Sequence, residues 1–548
     1  MLYHNSMKSF YKKFLTASLT ILVSLSINAK EFNADVCVYG GTASGMMAAV
    51  AAAKENKTVI IIEPSRWLGG ILGGGIRILT DCKYPDDIGG LTKMMLKKDS
   101  LLGYTAQDNQ PMIRDIFTEL TVEYGIKVLF EHRLGEVIRE GSKIIALKLD
   151  YAPPMNNGCP AASATKRNAS QLQAKVYIDA SYEGDLMAEA GISYVVARES
   201  NDDYNESLGG QRNLQVFEIN PYIKPDDPSS GLLPMIDPEP YEEGAASRHI
   251  IAYNFRLQWL PEGEGMKIGG PDNITPEKYA LVIRALETDA ESISWPSSNY
   301  HRYNLISTGI PGRQSDYPDA DWKERSRIWE EWIDHVKIMH KITGSKQTLN
   351  RGEYPETNDF PHQLYIRMAR RMVGEYVMTQ HDLMLQTEIK NPIGLGYYMV
   401  DIYPCRLIVT PDNKVASEGE AAIMVSPGPY QIPYEALIPK KNECTNLLVP
   451  VCMSATHVAL SSIRMEPTYM IMGEAAGIAA VRALNEDKAV QEINMVSLKE
   501  ALLDAGMVLE WDGTGYEKEK VYRDQVYWIS HPEEYQNRPY ENIYKGKR

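Results

Sequence analysis

The chain has 548 residues, 44% of them apolar and 24% charged, with a formal net charge of −15. That length exceeds one ordinary domain and supplies enough apolar side chains for large cores, so a soluble globular protein of two intertwined domains is expected. The acidic balance, with no basic cluster to offset it, excludes nucleic acid and anionic membrane as partners and disfavours acidic polysaccharide.

In chain order, the first signal is an address. Lys8, Lys12 and Lys13 precede an apolar run over residues 14–27 that ends at Asn28-Ala29-Lys30. This is the pattern of a secretory signal peptide over residues 1–29, too short for a comfortable membrane span. There is no twin-Arg, so export unfolded through the general route is expected, to the periplasm or the exterior, leaving no integral membrane segment. A helix packed on the body is the alternative, and Met7 is an alternative start.

Asp35-Val36-Cys37-Val38-Tyr39 then reads as a buried strand, Gly40-Gly41-Thr42-Ala43-Ser44-Gly45 as a tight turn, and residues 46–54 as a helix of small apolar side chains. Thr58-Val59-Ile60-Ile61-Ile62 is a second buried strand that ends in Glu63. Strand, glycine turn, helix, strand and terminal acid form the layout of a dinucleotide-binding βαβ unit. Amides at the helix N-terminus hold a pyrophosphate and the acid takes a ribose hydroxyl. Thr42 departs from the pattern, since it stands where a second glycine normally lets phosphates approach the backbone.

Glu63-Pro64-Ser65-Arg66 leads into a glycine-dense loop with Gly69, Gly70, Gly73, Gly74 and Gly75. Helices are expected over 89–100 and 113–124, then a strand-rich stretch over 135–151 with a turn at Glu140-Gly141-Ser142, and a polar loop over 152–171. Lys175 to Asp179 is another buried strand, continuing through Ala180, Ser181 and Glu183 to Asp185. From 192 to 391 the composition shifts toward Pro, Trp, Tyr and Arg, which marks an insertion with helices expected over 321–340 and 361–379. Residues 392–440 read as strands and turns, and 497–505 as a last helix.

This set of segments, with Asn446-Leu447-Leu448-Val449-Pro450, His457 and Gly473-Glu474-Ala475-Ala476-Gly477 following in order, resembles the FAD-dependent oxidoreductases of the glutathione-reductase-like two-dinucleotide-binding-domain superfamily. Within it the chain is similar to a bacterial group, associated with secretion and with xanthan lyases, whose first turn carries Gly-Gly-Thr. The likeness spans most of residues 34–485. It implies an α/β fold: a Rossmann-like FAD-binding domain, a parallel sheet with a β-meander, carrying an inserted α+β substrate domain. The expected division is 30–191 for the first part of the FAD-binding domain, 192–391 for the insert, 392–485 for the return and 486–548 for a C-terminal helix and tail.

The resemblance implies FAD as cofactor, held by Gly40, Gly41, Thr42, Ala43, Ser44, Gly45, Glu63, Pro64, Ser65, Arg66, Gly69, Gly70, Gly75, Asp179, Ala180, Ser181 and Asp185. A helix opening at Gly473, with Ala475, Ala476 and Gly477, is expected to point its N-terminus at the flavin pyrimidine. No second glycine fingerprint provides an NAD(P)H domain. The six cysteines include no CxxC pair for a disulfide relay, and the ten His lack metal spacing.

Candidate catalytic groups are His457, which takes a substrate proton or serves as a structural cap, and Arg464 with Glu466, which approach the flavin or brace the turn as an ion pair. Tyr403 stands where the similar family has the His of Asp-Ser-His, which puts a carried-over base there in doubt. Tyr253, Arg256 and Arg370 are candidate substrate contacts suited to an anionic or hydroxylated ligand, or partners of the abundant acids. The expected activity is hydride transfer from a small hydroxylated, carbohydrate-derived molecule to flavin N5, with an unidentified electron acceptor. The alternatives are an FAD-retaining binding or scaffold protein without redox chemistry, or a lyase-type accessory in polysaccharide use.

Overall fold

The βαβ unit forms as its sequence dictates, with β1 (Lys30–Tyr39), α1 (Ala43–Lys54) and β2 (Val59–Glu63) in order and both strands parallel from Val36 opposite Val59. The computed structural model describes residues 29–511 apart from 77–87, 102–108, 271–274, 350–351, 353, 358–359, 424 and 427. The expected signal segment, Cys82 and the tail after 511 lie outside the described residues. All of β2 is buried, the mark of a parallel strand covered on both faces.

β3 (Lys127–Phe130) extends the sheet beyond β2 in parallel. β4 (His132–Glu140) and β5 (Lys143–Tyr151) form the expected antiparallel pair, turning at Gly141 with φ 58°. β6 (Lys166–Asp179) then pairs with β1, giving the order β3-β2-β1-β6-β5-β4. It starts at Lys166, inside the stretch expected to be loop, because its first half alternates and takes β5 as antiparallel partner.

In the insert, α2 (Trp322–Ile342) matches expectation and is capped by Asp321, whose carboxylate accepts the Glu324 amide at 2.8 Å. The helix expected over 361–379 does not form. A helix would gather Arg367, Arg370 and Arg371 on neighbouring faces, yet they reach apart, to the Ala252 carbonyl, to Asp185 and Asp319, and to the Ala197 and Ala455 carbonyls. The segment stays irregular: Arg371–Met372 pairs with Tyr194–Val195, and Tyr365 and Met378 form isolated bridges to Asn254 and Ala455. Leu214–Phe217, Val415–Glu418 and Arg406–Val409 form a three-stranded antiparallel sheet, so hydrogen bonds tie part of 392–440 to the insert.

β7 (Leu447–Leu448) returns to the main sheet and pairs in parallel with the end of β6. α3 (His457–Ile463) and α4 (Glu466–Glu486) follow. Here the structure corrects the expected helix start. α4 opens at Glu466 with Pro467 in its first turn, a position that tolerates the missing N–H. Gly473 and Gly477 lie mid-helix, where an added Cβ would stand 2.1 Å from the Ser44 carbonyl oxygen and 2.3 Å from that of Ala48. They let α4 lie on α1, and Ala475 and Ala476 are buried beside them. Cys37, Cys159, Cys405, Cys444 and Cys452 are buried free thiols, so Cys444 and Cys452 do not pair.

Gly473→Ala is expected to force α4 away from α1 and to cost about 1–3 kcal/mol. A thermal or urea melt that matches wild type would show that the two helices can separate at no cost.

Candidate functional site

The first turn is built by crowding. A Cβ on Gly40 would stand 2.7 Å from the Ser181 nitrogen, and one on Gly45 would stand 2.0 Å from the Gly40 carbonyl oxygen. Gly40 also has φ 98°, which L side chains rarely adopt. Thr42 is the N-cap of α1: its hydroxyl accepts the Gly45 amide at 3.2 Å and donates to the Ala180 carbonyl at 2.8 Å. The residue that departed from the glycine pattern therefore clamps the helix start to the end of β6. Other first-turn amides have no acceptor within the helix, which leaves that end suited to an anion.

Glu63 closes the other side, its carboxylate accepting the amides of Gly41 and Ser65, each at 2.7 Å. Burial raises its pKa. Asp179, by contrast, turns inward. It accepts the Ser181 amide and hydroxyl and the Met187 amide, and burial lifts it to about 6. It shapes the turn that carries Ser181.

Gly40, Thr42, Glu63, Pro64, Ser65, Gly70, Ser181 and Asp185 line one cleft. Arg66 instead pairs with Glu131 at 2.6 Å, Gly69 holds the Gly41 carbonyl through its amide, and Gly75 packs on Arg256.

Sequence reasoning missed the far wall, made by Tyr317, Trp322, Trp329, His362, Gln363 and Trp67. Trp322, Arg325 and Trp329 fall at i, i+3 and i+7 on α2, a spacing that places them on one face. His362 stacks on Trp67 at 4.3 Å between centroids. Burial and the neighbouring Arg114 hold it neutral.

Arg325 grips Asp185 with two bonds of 2.7 and 2.8 Å, and Arg370 adds a third at 2.9 Å. Arg370 therefore braces the cleft wall. Asp185 ends below its ordinary pKa, since Arg325 and Arg370 outweigh burial, whereas burial lifts the adjacent Glu183 to about 7.

The remaining candidates separate. Tyr253 is fully buried among Tyr317 and Trp332, a core residue of the insert. Arg464 pairs with Asp401 at 2.7 Å and donates to the Tyr365 hydroxyl, while Glu466 accepts the Tyr182 hydroxyl at 2.7 Å. His457 is buried at the first turn of α3. Burial and then Arg371, Arg198 and Arg464 hold it well below its ordinary pKa.

A glycine turn crowded against two parallel strands, an acid ending the second strand and an aromatic-walled cleft define a Rossmann-type dinucleotide-binding flavoprotein. The chain belongs to the FAD dependent oxidoreductase family, whose model matches residues 35–502. FAD is accordingly its cofactor. No curated protein matches it.

Among solved structures, the myxobacterial chondrochloren halogenase CndH is 15% identical, covering 30% of this chain and 41% of that one, TM-score 0.22. Thermovibrio ammonificans THI4 is 15% identical over 35% of this chain and 72% of that one, TM-score 0.20. L-proline dehydrogenase from P. horikoshii is 17% identical over 32% and 26%, TM-score 0.17. The chain thus spans about two fifths of the halogenase it matches.

The residues present fit FAD, since the cleft joins a helix start to an acid that borders it. A cofactor pyrophosphate adds negative charge to a cleft that Glu183 also lines. FAD affinity should therefore fall as pH rises through about 7, by up to about tenfold per pH unit. Glu183→Gln should flatten that slope in a flavin fluorescence titration.

Proposed function

We propose that the protein is exported and oxidises a small hydroxylated molecule, handing a hydride to its flavin. The observation that carries this reading is the cleft itself, with the Gly-rich loop at Gly70 on one side and a wall from the insert on the other. When bound, FAD supplies the two-electron acceptor, and an external oxidant such as dioxygen or a quinone restores it.

The chain's own residues do the rest. Tyr317, Trp322 and Trp329 exclude water from the cleft, and Tyr182 joins its floor to α4 by accepting the Ile71 amide and donating to Glu466. As the carbinol C–H leaves with its electron pair, the O–H proton needs an acceptor. His457 is poorly placed for that, because protonation would add a cation beside Arg371, Arg198 and Arg464. Tyr403 is the better candidate: it is half-buried, its hydroxyl accepts from Asn299 at 3.3 Å, and it would take the carbinol proton while passing its own phenolic proton outward to water. Export rests on the lysines followed by the apolar run over 14–27. Among the described residues no helix is long and apolar enough to cross a membrane.

The full chain from Lys30 onward, purified and mixed with FAD, should show flavin absorption that bleaches anaerobically with the right alcohol. Tyr403→Phe should slow that bleaching by about 10²–10⁴ while leaving the flavin bound. A bound flavin that no hydroxylated compound reduces would shift the weight to a non-redox binding protein.

A further inference from the structure

Six arginines are no more than 3% exposed among the described residues: Arg198, Arg325, Arg367, Arg371, Arg406 and Arg464. Five of them stand on carboxylates, as burial of a guanidinium requires. Arg367 has no ion pair among the described residues. Its guanidinium lies over the Tyr365 ring at 4.4 Å and the Tyr403 ring at 4.1 Å, donates to the Ala252 carbonyl and to Asn299, and leaves its Nε without an acceptor. Burial pulls its pKa down to about 10.

Arg302, Arg367 and Arg464 gather around Asp401, with Glu420 against Arg302. The Asn254 Oδ1 and the Tyr300 hydroxyl, both buried beside this cluster, also have no partner. Tyr403 and Asn299 are only half-buried, so the cluster opens on their side.

Its position follows from the chain. Gln363 lines the FAD cleft, Tyr365 follows two residues on, and Arg367 two further. Four residues of chain span at most about 13 Å, and Arg464, which donates to Tyr365, immediately precedes the start of α4 that Tyr182 binds.

We propose that Arg367, boxed by Tyr365 and Tyr403, anchors a carboxylate of the substrate, so that the molecule oxidised is a small hydroxy acid rather than a neutral alcohol. This rests on the oxidoreductase reading above and narrows its substrate class. A buried guanidinium with no carboxylate of its own among the described residues matches one carboxylate, whose planar oxygens suit the guanidinium fork. A phosphate dianion would meet Asp401 and Glu420 instead.

The test uses the FAD-loaded full chain, titrated anaerobically with glycolate and gluconate, with their neutral counterparts glycolamide and glucose, and with inorganic phosphate. Flavin absorbance and melting temperature are read in parallel. The acids should perturb the flavin or raise the melting temperature at concentrations at least tenfold below the neutral compounds and phosphate. Arg367→Met should remove that preference.

Equal responses to acids and neutrals, or an Arg367→Met protein that still prefers acids, would overturn the proposal. If Arg367→Met does not fold, the wild-type comparison and Arg367→Lys decide, the lysine variant being expected to keep the charge preference but bind more weakly. Acids that bind without ever reducing the flavin would leave the anion site standing and remove the oxidoreductase reading. A flavin reduced by neutral alcohols as well as by acids would do the reverse.

Discussion

Everything in the cofactor half depends on how closely backbones approach at the start of α1. Gly40 touches the chain at Ala180 and Ser181, Gly45 touches Gly40, and Gly473 touches Ser44, each too close for a side chain. Two strand ends and two helices are thereby fixed around a single turn. Because interiors are packed as densely as crystals, a change of one methyl group there moves the turn as a whole. The same crowding explains why Thr42 is accepted where a glycine was expected: its side chain points into hydrogen bonds with Gly45 and Ala180.

Around this centre the protein handles charge in two ways. Arg325 and Arg370 hold Asp185 at the cleft, and Arg198 holds Glu418, as closed pairs whose hydrogen bonds replace lost water. The first of these fixes the insert against the sheet. Glu183, half-buried at the cleft, and Arg367, buried, differ in having no ion pair among the described residues, and such positions gather where ligands complete the structure.

The sequence showed the cofactor half well, because a period of two, a glycine turn and a terminal acid are local signals. It also showed α2 with its Asp321 cap. It did not show the path of residues 361–379, whose helix-like composition is overruled by arginine partners distant in sequence. Nor did it show that Gly473 and Gly477 serve helix packing, since a small residue reads alike at a phosphate and against a neighbouring helix. The aromatic wall was legible only as the Trp322 and Trp329 spacing, and its use depended on where the insert lands. Tyr403 was singled out by its position, but its two flanking guanidiniums come from residues 302 and 367 and are visible only in space.

The late arrival of β7 shapes how this molecule must fold. Asn446, next to β7, donates to the Lys175 carbonyl across 271 positions of sequence. Until that stretch has been made, the far half of β6 presents an open edge, and the sheet that carries the cofactor turn is incomplete. Loop closure over such a distance is slow, and an open edge invites pairing with other chains. Completion of the cofactor-bearing sheet therefore waits on the short segment around Asn446, Leu447 and Leu448.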